Sequence, residues 1–156
     1  MPYPDIIVLR HGQTEWNKAG RMQGQYDSPL TPQGIQDATK QQHLLQTHFD
    51  VKDRIIYSSP QPRALHTAGI VLAGQAVQIT TTPALMEINV GDWAGRLQSD
   101  IRADAVQKLG RELGPFDHYD NTPGENFADL RKRCQTFIDG LDRPAILITH
   151  GVTSRV

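Results

Sequence analysis

Two short apolar runs, one near each end of the chain, close on the same pair of residues. Ile6-Ile7-Val8-Leu9 leads through Arg10 to His11-Gly12, and Ala145-Ile146-Leu147-Ile148 leads through Thr149 to His150-Gly151. Such brief runs, rich in β-branched residues, predict buried parallel strands. An open α/β sheet binds its ligands just beyond the carboxyl ends of its strands. The two histidines are therefore expected to face each other across one pocket.

What lies between the two runs alternates strand and helix. A polar, glycine-dotted stretch over residues 11–30 reads as a long loop, and loops of that length in a domain are usually functional. Thr31-Pro32 is an N-cap followed by proline at the first helical position. Ile35, Ala38, Gln42, Leu45 and Phe49 then mark the inner face of a helix. A strand is predicted at residues 54–57, and a helix at 60–73 carrying Leu65, Ala68, Val71 and Leu72 inward. A third strand follows at 77–82, then a loop over 83–95 holding Glu87. Leu97, Ile101, Ala105, Leu109 and Leu113 outline another helix, broken by Pro115. Phe127, Leu130, Cys134, Phe137 and Leu141 outline the last, with Asn126 and Asp129 as its cap pair. This order predicts one α/β domain over residues 1–156 with a largely parallel sheet.

Composition narrows the setting. At 156 residues, 38% apolar and a net charge of −1, the chain can build a core and offers no general basic surface for nucleic acid. No apolar run approaches the roughly 20 residues of a membrane span, and the start carries no signal-peptide pattern. Cys134 is the single cysteine, which fits a reducing, cytoplasmic compartment.

Strand ends and the helix after the second strand would bring Arg10, His11, Arg63 and His150 together. Two guanidiniums and two imidazoles suit a dianionic phosphate, because the guanidinium fork matches phosphate oxygens. Gly12 and Gly151 are expected to let backbone amides approach, and a helix after His150 to aim its positive end inward. Taken singly, each residue has an ordinary reading. Arg63 could be a solvated helix arginine, His150 a hydrogen-bonded core histidine and Glu87 a surface carboxylate. His66 could support Arg63 or serve structure, while Trp16, Tyr26 and Trp93 could shape a mouth or anchor loops. No histidine spacing matches a helical metal motif, so no metal or other cofactor is expected.

The stretch Val8-Leu9-Arg10-His11-Gly12-Gln13-Thr14-Glu15-Trp16-Asn17 resembles the signature of the histidine phosphatase superfamily, also called phosphoglycerate mutase-like. Supporting segments follow in order: Asp27 to Gly34, Ser58-Ser59-Pro60 with Arg63-Ala64, Leu85-Met86-Glu87 with Gly91 to Gly95, Pro123-Gly124-Glu125, and Thr149-His150-Gly151. The resemblance implies a three-layer fold, a mostly parallel central sheet flanked by helices. It implies His11 as a nucleophile forming phosphohistidine, and Arg10, Arg63 and His150 as stabilisers of the transferring phosphoryl group. Asn17, Gln23, Gly24 and Gly151 would contact the substrate. Glu87 would be the proton donor, protonated near neutral pH and later activating water.

Members of such a family act as phosphatases or mutases. Glu87 is followed by Ile88-Asn89-Val90-Gly91-Asp92-Trp93, without the tyrosine and extra basic residues of the mutases. The expectation is a metal-independent phosphatase of small-molecule phosphate monoesters. The alternatives are phosphoglycerate mutase-type transfer and a non-catalytic phosphate-binding module. Relatives of this kind continue past the second histidine, whereas the sequence here ends at Val156, making the fold short at its C-terminus. An exposed apolar patch beside the last strand, favouring a homodimer, is the expected consequence.

Overall fold

A computed structural model describes residues 3–114 and 117–156, so the expected helix break at Pro115 and the first two residues lie outside the described residues. Four strands form one sheet: β1 (Ile6–Arg10), β2 (Ile55–Ser58), β3 (Ile79–Thr81) and β4 (Ala145–Thr149). All pair in parallel, in the order β1-β4-β2-β3. The last strand in sequence thus lies between the first two and is buried at every residue.

The strict alternation of side chains along a strand divides the core into two layers. Ile146 and Ile148 of β4 join Ile56 in packing against α2 (Pro32–His48) and α3 (Pro62–Val71), through Ala38, Leu45, Ala64, Ala68 and Val71. Ala145 and Leu147 face the opposite way, toward Leu85 and α5 (Phe127–Asp139), where Phe137 and Ile138 pack. A further cluster of Met22, Ile88, Val90, Ile101, Leu130 and Val152 joins α4 (Gln98–Leu109) and α5 to the loops around the site.

Helix starts follow local chemistry. The Thr31 hydroxyl accepts the Gly34 amide with Pro32 behind it, and Asn126 accepts the Asp129 amide. Gly110 ends α4 in the left-handed region, which glycine adopts without a Cβ clash.

Several expectations are corrected. Residues 11–30 contain a short helix, α1 (Glu15–Lys18), nucleated by a reciprocal cap between Thr14 and Asn17. Val8 is 48% exposed because β1 is an edge strand, so the first run is not buried throughout. Beside the fully buried β4, the exposed apolar residue on β1 is this one. Leu65 points outward: Ala64, Thr67, Ala68 and Val71 form the inner face of α3, and Leu65 sits about 100° away from it. Ile35 and Phe49 at the ends of α2, and Leu97 and Leu109 at those of α4, are also exposed. Residues spaced by four drift about 40° per step around a helix of roughly 100° per residue. Only the middle of such a series, here Ile101 and Ala105, stays inward.

Candidate active site

The register of β1 on β4 sets Arg10 opposite Thr149, so the next residue on each strand is a histidine. The His11 amide donates to the Thr149 carbonyl at 3.0 Å, and the two rings lie with centroids 5.1 Å apart. On the other side of β4, the Ser59 amide donates to Ile148 O, placing the end of β2 beside His150.

His11 is buried, and its Nδ1 lies 2.7 Å from the Gly12 carbonyl oxygen. A carbonyl only accepts, so Nδ1 carries the proton and Nε2 holds a lone pair. Arg63 Nε donates to that Nε2 at 3.3 Å. Burial pushes the His11 imidazole down to about 4, with Arg63 and Arg10 lowering it further and the Gly12 hydrogen bond opposing. Burial is thus the larger cause, ahead of repulsion by the two arginines.

Arg63 is held from behind. Its side chain is 1% exposed and pairs with Asp27 at 3.0 Å, while Nη1 and Nη2 also donate to the carbonyls of Tyr26 and Gly24. With its amide oxygen assigned toward Arg63, Gln23 accepts from Nη1 at 2.9 Å and shares the single Nε proton with His11, while its amide nitrogen donates to the Ser28 and Thr14 hydroxyls. At Gly151 a Cβ would meet the Arg10 guanidinium at 3.0 Å, so the missing side chain makes room for Arg10. The Gly12 amide donates to Thr67 rather than into the pocket. Its missing Cβ admits the Gly34 carbonyl, 2.2 Å from where that carbon would sit.

His150 is fully buried, with Nε2 2.7 Å from the Ser59 hydroxyl and Nδ1 without a hydrogen-bond partner. Burial, then Arg63 and His11, push its titration well below the ordinary histidine range. When Ser59 donates to Nε2, the proton of the neutral ring sits on Nδ1, the nitrogen left for a ligand.

Glu87 comes from the loop after β3. Oε1 accepts from the Ile88 amide (3.1 Å), the Thr153 amide (3.0 Å) and the Thr153 hydroxyl (2.9 Å), and Oε2 accepts from the Val152 amide (3.1 Å). The expected inward helix after His150 is instead a short 3-10 turn, Thr153–Arg155. The amides entering it serve Glu87. Gln61 ties the parts together: its Oε1 accepts the Glu87 amide at 2.8 Å and its Nε2 donates to Gly24 O.

These groups meet at a cavity of about 190 Å³ lined by Arg10, His11, Asn17, Gln23, Gly24, Arg63, Glu87 and Gly151. His150 does not line it; its buried ring packs 5.1 Å from that of His11. Asn17 Oδ1 is committed to the Thr14 amide, which leaves its NH2 as a donor. Arg21, Gln98, His118, Tyr119 and Arg155 also line the cavity, and none of them is conspicuous in the sequence. Trp16, Tyr26 and Trp93 do not line it, and His66 is exposed. Four arginines against one carboxylate make the cavity cationic, suited to an anion. Among the described residues no group of three or more His, Cys, Asp or Glu is arranged to hold a metal, and no helix is long and apolar enough to cross a membrane.

The chain is similar to known proteins along most of its length. The family described as the histidine phosphatase superfamily (branch 1) matches residues 6–156. The chain is 36% identical to the adenosylcobalamin/alpha-ribazole phosphatase of Salmonella typhimurium, over 88% of this chain and 66% of that protein. It is 31% identical to the probable phosphoglycerate mutase GpmB of Yersinia pestis, over 94% and 69%. The solved structure named mycobacterial hydrolase 1 superposes with a TM-score of 0.80 at 28% identity, covering 98% of this chain and 78% of that one. The chain spans about two thirds of the length of the curated relatives it matches.

Proposed function

The chain belongs to the histidine phosphatase superfamily, branch 1, and on that premise we propose that it hydrolyses small-molecule phosphate monoesters without a metal, through a phosphohistidine on His11. One observation carries the reading: the Gly12 carbonyl holds the proton on Nδ1, so the unprotonated Nε2 faces a pocket of arginines. A neutral imidazole fixed in that tautomer is a nucleophile without needing a base.

In the first step Nε2 attacks phosphorus as the ester P–O bond breaks. Arg10, Arg63 and His150 Nδ1–H balance the charge on the three remaining oxygens. Glu87 delivers its proton to the departing alkoxide. Two amides and, for part of the time, the Thr153 hydroxyl occupy Oε1, which leaves Oε2, accepting from one amide, to carry the proton. In the second step the carboxylate takes a proton from water, the water oxygen attacks phosphorus and the N–P bond breaks. Its electron pair returns to Nε2 and inorganic phosphate leaves. Asn17, Gln23, Gly24 and Gly151 surround the ester at the cavity wall.

Residues 1–156 act as one domain in this reading, in a soluble cytoplasmic enzyme. A homodimer formed at the β1 edge belongs to the same reading.

Turnover of p-nitrophenyl phosphate in the presence of EDTA, compared with His11→Ala, tests the proposal. Hydrolysis that survives chelation and is lost in the variant supports it. Phosphate binding without turnover identifies a binding module instead, and conversion of a phosphoglycerate to its isomer without free phosphate identifies a mutase.

A further inference from the structure

The hydrogen bonds of Arg133, on α5, converge on the backbone that carries Glu87. Its guanidinium donates to the carbonyls of Ala84 (2.7 Å), Met86 (2.8 Å) and Glu87 (3.3 Å). The same group forks onto both oxygens of Glu125, Nε to Oε1 at 2.6 Å and Nη2 to Oε2 at 3.0 Å. Glu125 grips the far side of the segment: its Oε2 accepts the Asn89 amide and its own amide donates to Asn89 O at 2.7 Å. Residues 84–89 are thus clamped before and after Glu87, while neither Arg133 nor Glu125 lines the cavity. A planar fork reaches three carbonyls and a carboxylate, the Met86 and Glu87 carbonyls sharing one Nη2 proton, and lysine cannot replace it.

Proton transfer depends steeply on placement, and a displacement of about 1 Å can cost about 100-fold in rate. Arginine committed in this way is poorly explained as surface charge, because it is spent on carbonyls of a loop rather than on a solvated partner. We propose that Arg133 and Glu125 are positioning residues for the proton-transfer step, holding the Glu87 carboxyl where it meets the departing ester oxygen. The proposal rests on the reading of Glu87 as the proton donor.

Its consequence separates substrates by leaving group. An alkoxide must be protonated as it leaves, whereas p-nitrophenolate departs without help. The ratio kcat/KM reports steps up to departure of the alcohol, so it isolates this event from hydrolysis of the phosphohistidine.

Arg133→Met and Glu125→Gln are to be assayed on an alkyl phosphate and on p-nitrophenyl phosphate, with circular dichroism to verify folding. The expected result is a fall in kcat/KM of about 10- to 100-fold for the alkyl ester and of less than about threefold for the aryl ester. If Arg133→Met fails to fold, Glu125→Gln carries the test, since it keeps the shape of the side chain. An equal loss on both substrates, or no loss on either, overturns the proposal. Glu87→Gln, run in parallel, is expected to show the same split in larger measure. If it does not, the reading of Glu87 itself falls; if it does while Arg133→Met and Glu125→Gln show none, only the positioning inference falls.

Discussion

Thr153 holds one oxygen of Glu87 twice, through its amide at 3.0 Å and its hydroxyl at 2.9 Å. The same hydroxyl lies 2.8 Å from the Met86 carbonyl, and its single proton serves one acceptor at a time. The turn after His150 is thereby fastened to the loop after β3, so the second histidine and the carboxylate are placed by one local structure.

Thr153→Val keeps the shape and the amide but removes the hydroxyl. A hydrogen bond to a neutral group contributes about 0.5–1.5 kcal/mol, so kcat/KM on an alkyl phosphate is expected to fall about two- to tenfold. Steady-state kinetics of the purified variant measure it, and an unchanged value removes Thr153 from the positioning of Glu87.

Ser59 lies 2.7 Å from His150 Nε2, and when it donates there the ring proton sits on Nδ1. Ser59→Ala frees the proton to sit on either ring nitrogen, and Nδ1 then donates to phosphate only part of the time. Competitive inhibition by inorganic phosphate is expected to weaken by about tenfold, the equivalent of about one net hydrogen bond. Unaltered inhibition would show that the hydroxyl does not set the ring.

The glycine after His11 serves packing. A Cβ on Gly12 would stand 2.2 Å from the Gly34 carbonyl oxygen, a backbone atom at the start of α2 that has no room to yield. Gly12→Ala is expected to destabilise the fold by about 1–3 kcal/mol, read as a lowered denaturation midpoint. A midpoint matching the parent protein would mean that the contact relaxes freely.

Burial lowers His11 to about 4, helped by Arg63 and Arg10. Between its ordinary value near 6.5 and that value, the unfolded chain binds a proton at this residue and the folded chain does not. Stability from this group is therefore fully present above about pH 6.5 and declines as pH falls toward 4, by about 3 kcal/mol at most. His150, lowered by burial, acts in the same direction. NMR titration of the imidazole is expected to give a midpoint near 4 for His11; a midpoint at 6.5 or above contradicts the burial argument.

The chain order of strands and helices was legible because each element carries its own periodicity and cap. Arg10, His11 and His150 were legible because they follow strand runs directly, and a parallel register does the rest. Val8 was misjudged because an edge position is a property of strand order, which no single run encodes. Asp27, Ser59, Gln61, Thr67 and Thr153 act through polar contacts made only when distant segments meet, and their own surroundings in sequence carry no period or charge pattern. The amides after His150, expected to face a ligand, instead serve the carboxylate of residue 87, a partner that the sequence around them does not reveal. The short α1 escaped because four residues hold no helical period, although Thr14 and Asn17 have the spacing of a cap pair.

The central claim is that phosphorus is transferred to His11. Rapid quenching during turnover of a radiolabelled monoester, followed by exposure of the protein to acid and to alkali, tests it most directly. The expected result is protein-bound phosphate that is acid-labile and alkali-stable, mapped to His11 and missing from His11→Ala. Turnover with no phosphate bound to the protein, or label that persists in His11→Ala, would contradict it.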